Sequence, residues 1–167
     1  MCAAKTGALL GCAASIGAIL AGAPGATVGA LRDYGRHLGL AFQAVDDLLG
    51  IWGDPGTTGK PAGTDLKQRK KSMPVVSALA AGGAEADELR LLVLGPPESV
   101  HPLPPLETDE VERATYLVEA CGGREWTQVR AKANLDAALG ALERVRLSAI
   151  PHRDLADIAV YVVERES

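Results

Sequence analysis

The stretch Gly39-Leu40-Ala41-Phe42-Gln43-Ala44-Val45-Asp46-Asp47-Leu48-Leu49-Gly50-Ile51-Trp52 decides how this sequence folds. Leu38, Phe42, Val45, Leu49 and Trp52 recur at steps of three and four, the spacing that lines up one face of an α-helix. Gln43, Asp46 and Asp47 stand at i, i+3 and i+4, so they project from one face, beside the apolar stripe rather than inside it. Two neighbouring carboxylates repel each other by only about a few tenths of a kcal/mol on a solvated helix. Taken alone, the pair is compatible with an ordinary acidic surface.

Working outward, Gly53, Asp54, Pro55 and Gly56 carry turn chemistry that ends this helix, and a Gly/Pro turn at residues 23–25 precedes it, so it spans about 27–52. Upstream, small residues at Gly7, Gly11, Ala14, Gly17 and Ala18 suit a helix over about 3–21 that packs closely on its neighbours. The apolar run 7–23 after Lys5 superficially resembles a secretion signal, but it is richer in Ala and Gly than in Leu and Phe. It is also shorter than the ~20 residues a membrane span needs. We read it as a core helix and expect no transmembrane segment.

Downstream, residues 54–69 read as a polar loop, followed by helices over about 71–81, with Met73, Val76 and Ala80 inward, and about 85–94. Five prolines between 95 and 106 exclude a helix there, because each interior proline removes a hydrogen bond and clashes with the preceding turn. This is a surface loop at about 95–107. Thr108 is placed to cap a helix whose first turn carries Asp109, Glu110 and Glu112, where the helix dipole favours acids. Helices over about 126–147 and 154–164 follow, the last with the stripe Leu155, Ile158, Ala159, Val162 and Val163. No segment reads as a strand. The expectation is one all-α domain over residues 1–167.

Composition agrees with this. With 47% hydrophobic but only 4% aromatic residues, the core is filled by Ala, Leu, Val and Gly, which suits closely packed helices. A formal charge of -4 offers no global attraction for nucleic acid or an anionic membrane. Cys2, Cys12 and Cys121 have neither metal-ligand nor framework spacing, which points to reduced thiols and a cytoplasmic setting. His37, His101 and His152 are scattered and suit structural or surface roles, while Trp52 and Trp126 read as core.

The acidic pair does not stand alone. After it come Gly59-Lys60-Pro61, then Gly63-Thr64-Asp65, then the basic run Lys67, Arg69, Lys70 and Lys71. Carboxylates that can hold a hard divalent cation, facing lysines on a Gly-rich loop, supply what a metal diphosphate needs: oxygen ligands for the metal and point charges for the phosphate oxygens.

In this order, residues 39–55, then 59–66, then Lys70 and Pro74 closely resemble the second aspartate-rich region of the trans-isoprenyl (polyprenyl) diphosphate synthases. Lys5-Thr6-Gly7-Ala8-Leu9-Leu10 is similar to the Lys-Thr helix of that family, and residues 155–165 to its last helix. The resemblance covers nearly the whole chain and identifies it as the C-terminal portion of an isoprenoid-synthase-type helical bundle. It implies condensation of an allylic diphosphate with isopentenyl diphosphate, dependent on Mg2+, in an enzyme that is a homodimer when intact. It further implies that Lys5, Thr6, Gln43, Lys60 and Lys70 contact the allylic diphosphate or its cation end, and that Asp46 and Asp47 bind metal.

Two departures from the family pattern stand out. The motif Asp-Asp-x-x-Asp ends here in Gly50, which leads us to expect weakened rather than abolished Mg2+ binding; Asp54 is usual in the family and is no replacement. The first aspartate-rich motif, its Arg pair and the residues that grip isopentenyl diphosphate are absent from these 167 residues. The expectation is therefore half of a synthase, inactive alone. A non-catalytic or regulatory subunit of a partner synthase is the alternative. A terpene cyclase is disfavoured by the lack of an Asn/Asp-x-x-Ser/Thr-x-x-x-Glu motif.

Overall fold

The computed structural model describes residues 3–59, 61–99 and 102–164, and among these every regular element is helical. A π-helical turn over Ala3–Gly7 leads into α1 (Ala8–Leu20) and α2 (Gly25–Trp52). The one-turn helices α3 (Pro55–Thr58) and α4 (Thr64–Lys67) follow, then α5 (Met73–Ala81), α6 (Ala84–Leu94), α7 (Thr108–Ala120), α8 (Gly123–Leu142) and α9 (Ala149–Glu164). The all-α expectation holds. The chain groups into two compact units, residues 1–45 with 129–167, and residues 46–128.

In the first unit the core is small-residue packing. Ala30, Leu31, Tyr34 and Leu38 of α2 bury against Ala138, Ala141, Leu142 and Val145 and against Ala159 of α9. Glycines bring α1 and α2 backbone to backbone. A Cβ on Gly35 would stand 2.6 Å from the Leu10 carbonyl carbon, and one on Gly39 would stand 2.8 Å from the Gly7 Cα. Neither position admits a side chain. The small residues of α1 take this contact, Gly11 and Ser15 being buried, and Leu10 packs on the core, while Leu9 is 69% exposed and Leu20 is 82% exposed. No helix among the described residues is long and apolar enough to cross a membrane.

The second unit has a conventional aliphatic core of Ile51, Leu66, Val75, Ala78, Leu89, Val93, Leu106, Leu117 and Val118. Its details correct several expectations. Segment 54–69 is not wholly loop: α4 forms because Leu66 is anchored in the core, and a single turn is too short for periodicity to reveal. On α5 the inward residues are Pro74, Val75 and Ala78, whereas Val76 is half exposed and Ala80 exposed, because the helix begins at Met73 and its first turn sets the phase. The cap of α7 is Glu107, with Thr108 the first helical residue; the Glu110 carboxylate reaches back to accept the Glu107 N–H at 2.8 Å. Trp52 packs partly buried with the Arg124 guanidinium over its ring at 5.0 Å, but Trp126 is 44% exposed and is not a core residue.

The Pro-rich segment is tied down near its C-terminal end. Leu106 is buried and its N–H donates to the Lys67 carbonyl at 2.9 Å, while Arg69 donates to the Pro104 carbonyl at 2.6 Å and to the Leu92 carbonyl. Of the scattered histidines, His37 pairs through Nδ1 with Asn134 at 3.0 Å and His152 lies 3.5 Å from Glu143; His101 falls outside the described residues.

Tyr34 shows how the first unit holds its polar groups. Its hydroxyl donates to the Leu155 carbonyl at 2.7 Å, and burial pushes the phenol up to about 12 from its ordinary 10.0. Because the folded value is the higher one, this contribution is intact below about pH 10 and drains away as pH rises towards 12. Tyr34→Phe is expected to cost about 1 kcal/mol at neutral pH and to flatten the fall in stability between pH 10 and 12, as read by urea unfolding.

Candidate diphosphate and metal site

Within the first unit, the close approach at Gly39 determines what happens one helical turn later. Lys5 and Thr6 lie on the π-helical turn, a local widening often found at functional sites. Thr6 Oγ1 donates to Gln43 Oε1 at 3.2 Å, both side chains being half-buried, and Lys5 is exposed. Two predicted residues, 37 positions apart, are thus brought together.

Within the second unit the acidic motif divides. Asp46 is exposed, whereas Asp47 is 2% exposed. The two carboxylates therefore do not share a solvated face. A buried carboxylate has to be met by charge and by donors. Asp47 Oδ1 accepts from Lys70 Nζ at 3.2 Å, and Oδ2 accepts the Met73 backbone N–H at 2.9 Å. Met73 opens α5, Ser72 gives no side-chain cap and Pro74 has no N–H, so Asp47 caps this helix from outside its own chain segment.

Lys70 in turn reaches Asp65 Oδ2 at 2.6 Å. Desolvation by burial would lower the ammonium pKa, but the Asp65 hydrogen bond and the Asp47 charge outweigh it and raise it, so Lys70 is a fixed positive charge at neutral pH. The backbone agrees with the side chains. Arg69 N–H donates to the Leu66 carbonyl at 2.8 Å and Lys70 N–H to the Asp65 carbonyl at 2.9 Å, the paired bonds of a Schellman motif closing α4. Arg69 occupies the left-handed position, φ 53°, that glycine usually takes. Its guanidinium bonds to the Pro104 carbonyl and to the Leu92 carbonyl of α6, described above, hold it there. Lys67 and Lys71 are exposed.

The glycine of Gly63-Thr64-Asp65 is also explained. Gly63 has φ 74°, its N–H donates to the Ile51 carbonyl at 3.0 Å, and a Cβ there would meet Val111 at 2.6 Å. Lys60 falls outside the described residues. Asp65 was not among the predicted site residues; the signal that could have found it was its place five residues before Lys70, one turn of helix plus the closing residue.

Among the described residues no group of three or more His, Cys, Asp or Glu side chains forms a metal cage. A hard divalent cation here would be held by few carboxylates and complete its shell with phosphate oxygens and water. The oxygen donors present fit that role.

The sequence profile described as Polyprenyl synthetase matches residues 1–101, which include Thr6 and Gln43 of the first unit and Asp46, Asp47, Asp65 and Lys70 of the second. The chain belongs to the polyprenyl synthetase family. Among its relatives, geranylgeranyl diphosphate synthase of Mycobacterium tuberculosis is 44% identical over 166 residues, 99% of this chain and 44% of that protein. The crystal structure of a polyprenyl synthetase from Streptomyces coelicolor superposes with a TM-score of 0.88 at 46% identity, over 97% of this chain and 48% of that one. Geranylgeranyl pyrophosphate synthase from Corynebacterium glutamicum, solved in complex with isoprenyl diphosphate and magnesium, gives 0.75 at 29% identity over 90% of this chain and 41% of that one. This polyprenyl synthetase chain thus spans about half the length of the relatives it matches, with their helical fold.

The unequal environments of the two aspartates lead to unequal effects. Asp47→Ala strips a helix cap and a lysine partner together and is expected to lower stability by about 2 kcal/mol. Asp46→Ala, at an exposed position, is expected to stay within about 0.5 kcal/mol. Chemical denaturation of both variants checks this.

Proposed function

We propose that this chain supplies the allylic-diphosphate-binding half of a prenyl diphosphate synthase that condenses isopentenyl diphosphate with an allylic diphosphate. The observation that carries this reading is the ordered series Gln43, Asp46-Asp47, Gly59-Lys60-Pro61, Gly63-Thr64-Asp65 and Lys70, lying inside the family match over residues 1–101. Relatives named geranylgeranyl and farnesyl diphosphate synthases, and one structure containing isoprenyl diphosphate and magnesium, support it.

The reaction begins when the allylic C–O bond breaks and the diphosphate leaves with the bonding electrons. The double bond of isopentenyl diphosphate then attacks the carbocation, and loss of a proton restores neutrality in a product one isoprene unit longer. Such a reaction asks the protein for leaving-group stabilisation and positioning, not for a nucleophile. A bound divalent cation, Mg2+ in this reading, would offset the charge that grows on the departing diphosphate.

The chain's own residues divide the remaining work. Lys60 and Lys70 bring point charges to the phosphate oxygens, as does Lys5. Thr6 orients Gln43, whose amide faces the diphosphate or the cation end. Asp46 offers its carboxylate to the metal directly. Asp47, from its buried position, acts by holding Lys70 and the start of α5. In this reading the intact enzyme is a cytoplasmic homodimer, and the chain by itself does not turn over, because these 167 residues carry no first aspartate-rich motif.

Prenyl transfer assays with isopentenyl diphosphate, labelled allylic diphosphates and Mg2+ test this, run on the chain alone and with a polypeptide carrying the first aspartate-rich motif. Turnover is expected only in the second case, and Asp46→Ala is expected to lower it about 100-fold. Tight Mg2+-dependent diphosphate binding without turnover in either case would favour a regulatory subunit instead; no binding at all would sink both readings.

A further inference from the structure

Gly50 lies one turn after Asp46 and Asp47, and the volume beside it is taken. A Cβ built on Gly50 would stand 2.5 Å from the Cγ of Asp65, closer than real carbon contacts allow, and 3.1 Å from its Oδ1. The carboxylate of Asp65, carried on α4, occupies the space that any side chain at position 50 would claim.

That carboxylate is the short partner of Lys70, at 2.6 Å against 3.2 Å for Asp47. The Lys70 backbone is bound to the same residue, through its N–H and the Asp65 carbonyl at 2.9 Å. Asp65 therefore grips Lys70 at both ends of its side chain. An ammonium has three N–H donors. Two go to Asp65 and Asp47, and the third is left for a phosphate oxygen.

The lysine stem is long, and the Lys70 side chain is still 42% exposed against 15% for Asp65. An ion pair with one partner this open to solvent adds little to stability. What it does supply is order: a four-carbon chain that would lose rotamer freedom on meeting its ligand has already lost it.

We propose that Asp65 is a positioning residue that aims Lys70 at the diphosphate, and that Gly50 is its socket. The missing side chain at position 50 lets a carboxylate from α4 stand against α2. This rests on the reading of Lys70 as a diphosphate contact. It gives Gly50 a purpose different from that of a merely lost metal ligand: filling the position would cost the lysine its guide.

The test is calorimetric titration of inorganic diphosphate into the chain, with and without Mg2+, for wild type, Gly50→Ala, Asp65→Ala, their double variant, Asp65→Asn and Lys70→Ala, with thermal unfolding of each. Gly50→Ala and Asp65→Ala are each expected to weaken diphosphate binding about tenfold, to similar extents with and without Mg2+. The double variant is expected to be no weaker than the weaker single one, because both changes break the same contact. Unfolding temperatures are expected to move by no more than a few degrees.

Additive losses, losses confined to the Mg2+ titration, or unchanged or tighter binding in Asp65→Ala would overturn the proposal. If Gly50→Ala does not fold, the isosteric Asp65→Asn decides through the same two titrations. Should Lys70→Ala leave diphosphate binding intact, the functional reading of Lys70 falls and this inference with it. Weakened binding in Lys70→Ala beside unaltered binding in both Asp65 variants rejects the positioning role alone.

Discussion

Asp47 is a carboxylate inside a hydrophobic unit, and much of the geometry around the acidic motif follows from the need to satisfy it. An uncompensated charge at this depth would destabilise the unit by several kcal/mol. It is met by an ammonium on one oxygen and by a helix N-terminus on the other. That double demand orients the start of α5 towards α2 and draws Lys70 inward from the segment between α4 and α5. Asp46, one residue earlier, stays at the surface.

A different constraint governs the first unit, where proximity of backbones replaces charge. Gly35 and Gly39 have no room for a Cβ, and α1 presents Gly11 and Ser15 to the shared surface. Interiors packed to crystal-like density respond to a single methyl group. The contact between Thr6 and Gln43 is a consequence of that approach, since it lies one turn beyond Gly39. Tyr34 adds a polar fastening to α9 in the same core.

Seen chemically, the second unit is an arrangement of alternating charge: Asp47, Lys70 and Asp65 are linked in sequence by ion pairs, with Asp46 beside them on the helix. In the proposed function, such alternation would keep a cation and an anion close together without either being neutralised outright. A metal diphosphate presents the same alternation in reverse, metal against carboxylate and phosphate against lysine. Arg69, by contrast, spends its guanidinium on backbone carbonyls, so the positive charge available to a ligand is narrower than the run Lys67, Arg69, Lys70, Lys71 suggests.

Helical periodicity, turn residues and the order of motifs are local properties, and they were enough to place most helices, to exclude one from the Pro-rich segment and to identify the polyprenyl synthetase family. Burial is not local. Whether Asp46 or Asp47 faces inward, whether Val75 or Val76 does, and whether Arg69 faces a ligand or a carbonyl depend on neighbours that packing brings in from about one to three dozen residues away. The same holds for Gly50: the sequence by itself determined that a carboxylate is missing from the helix, while only the tertiary structure decided that the carboxylate of Asp65 fills the space, because two atoms cannot occupy one volume and no periodicity records which atom arrives there.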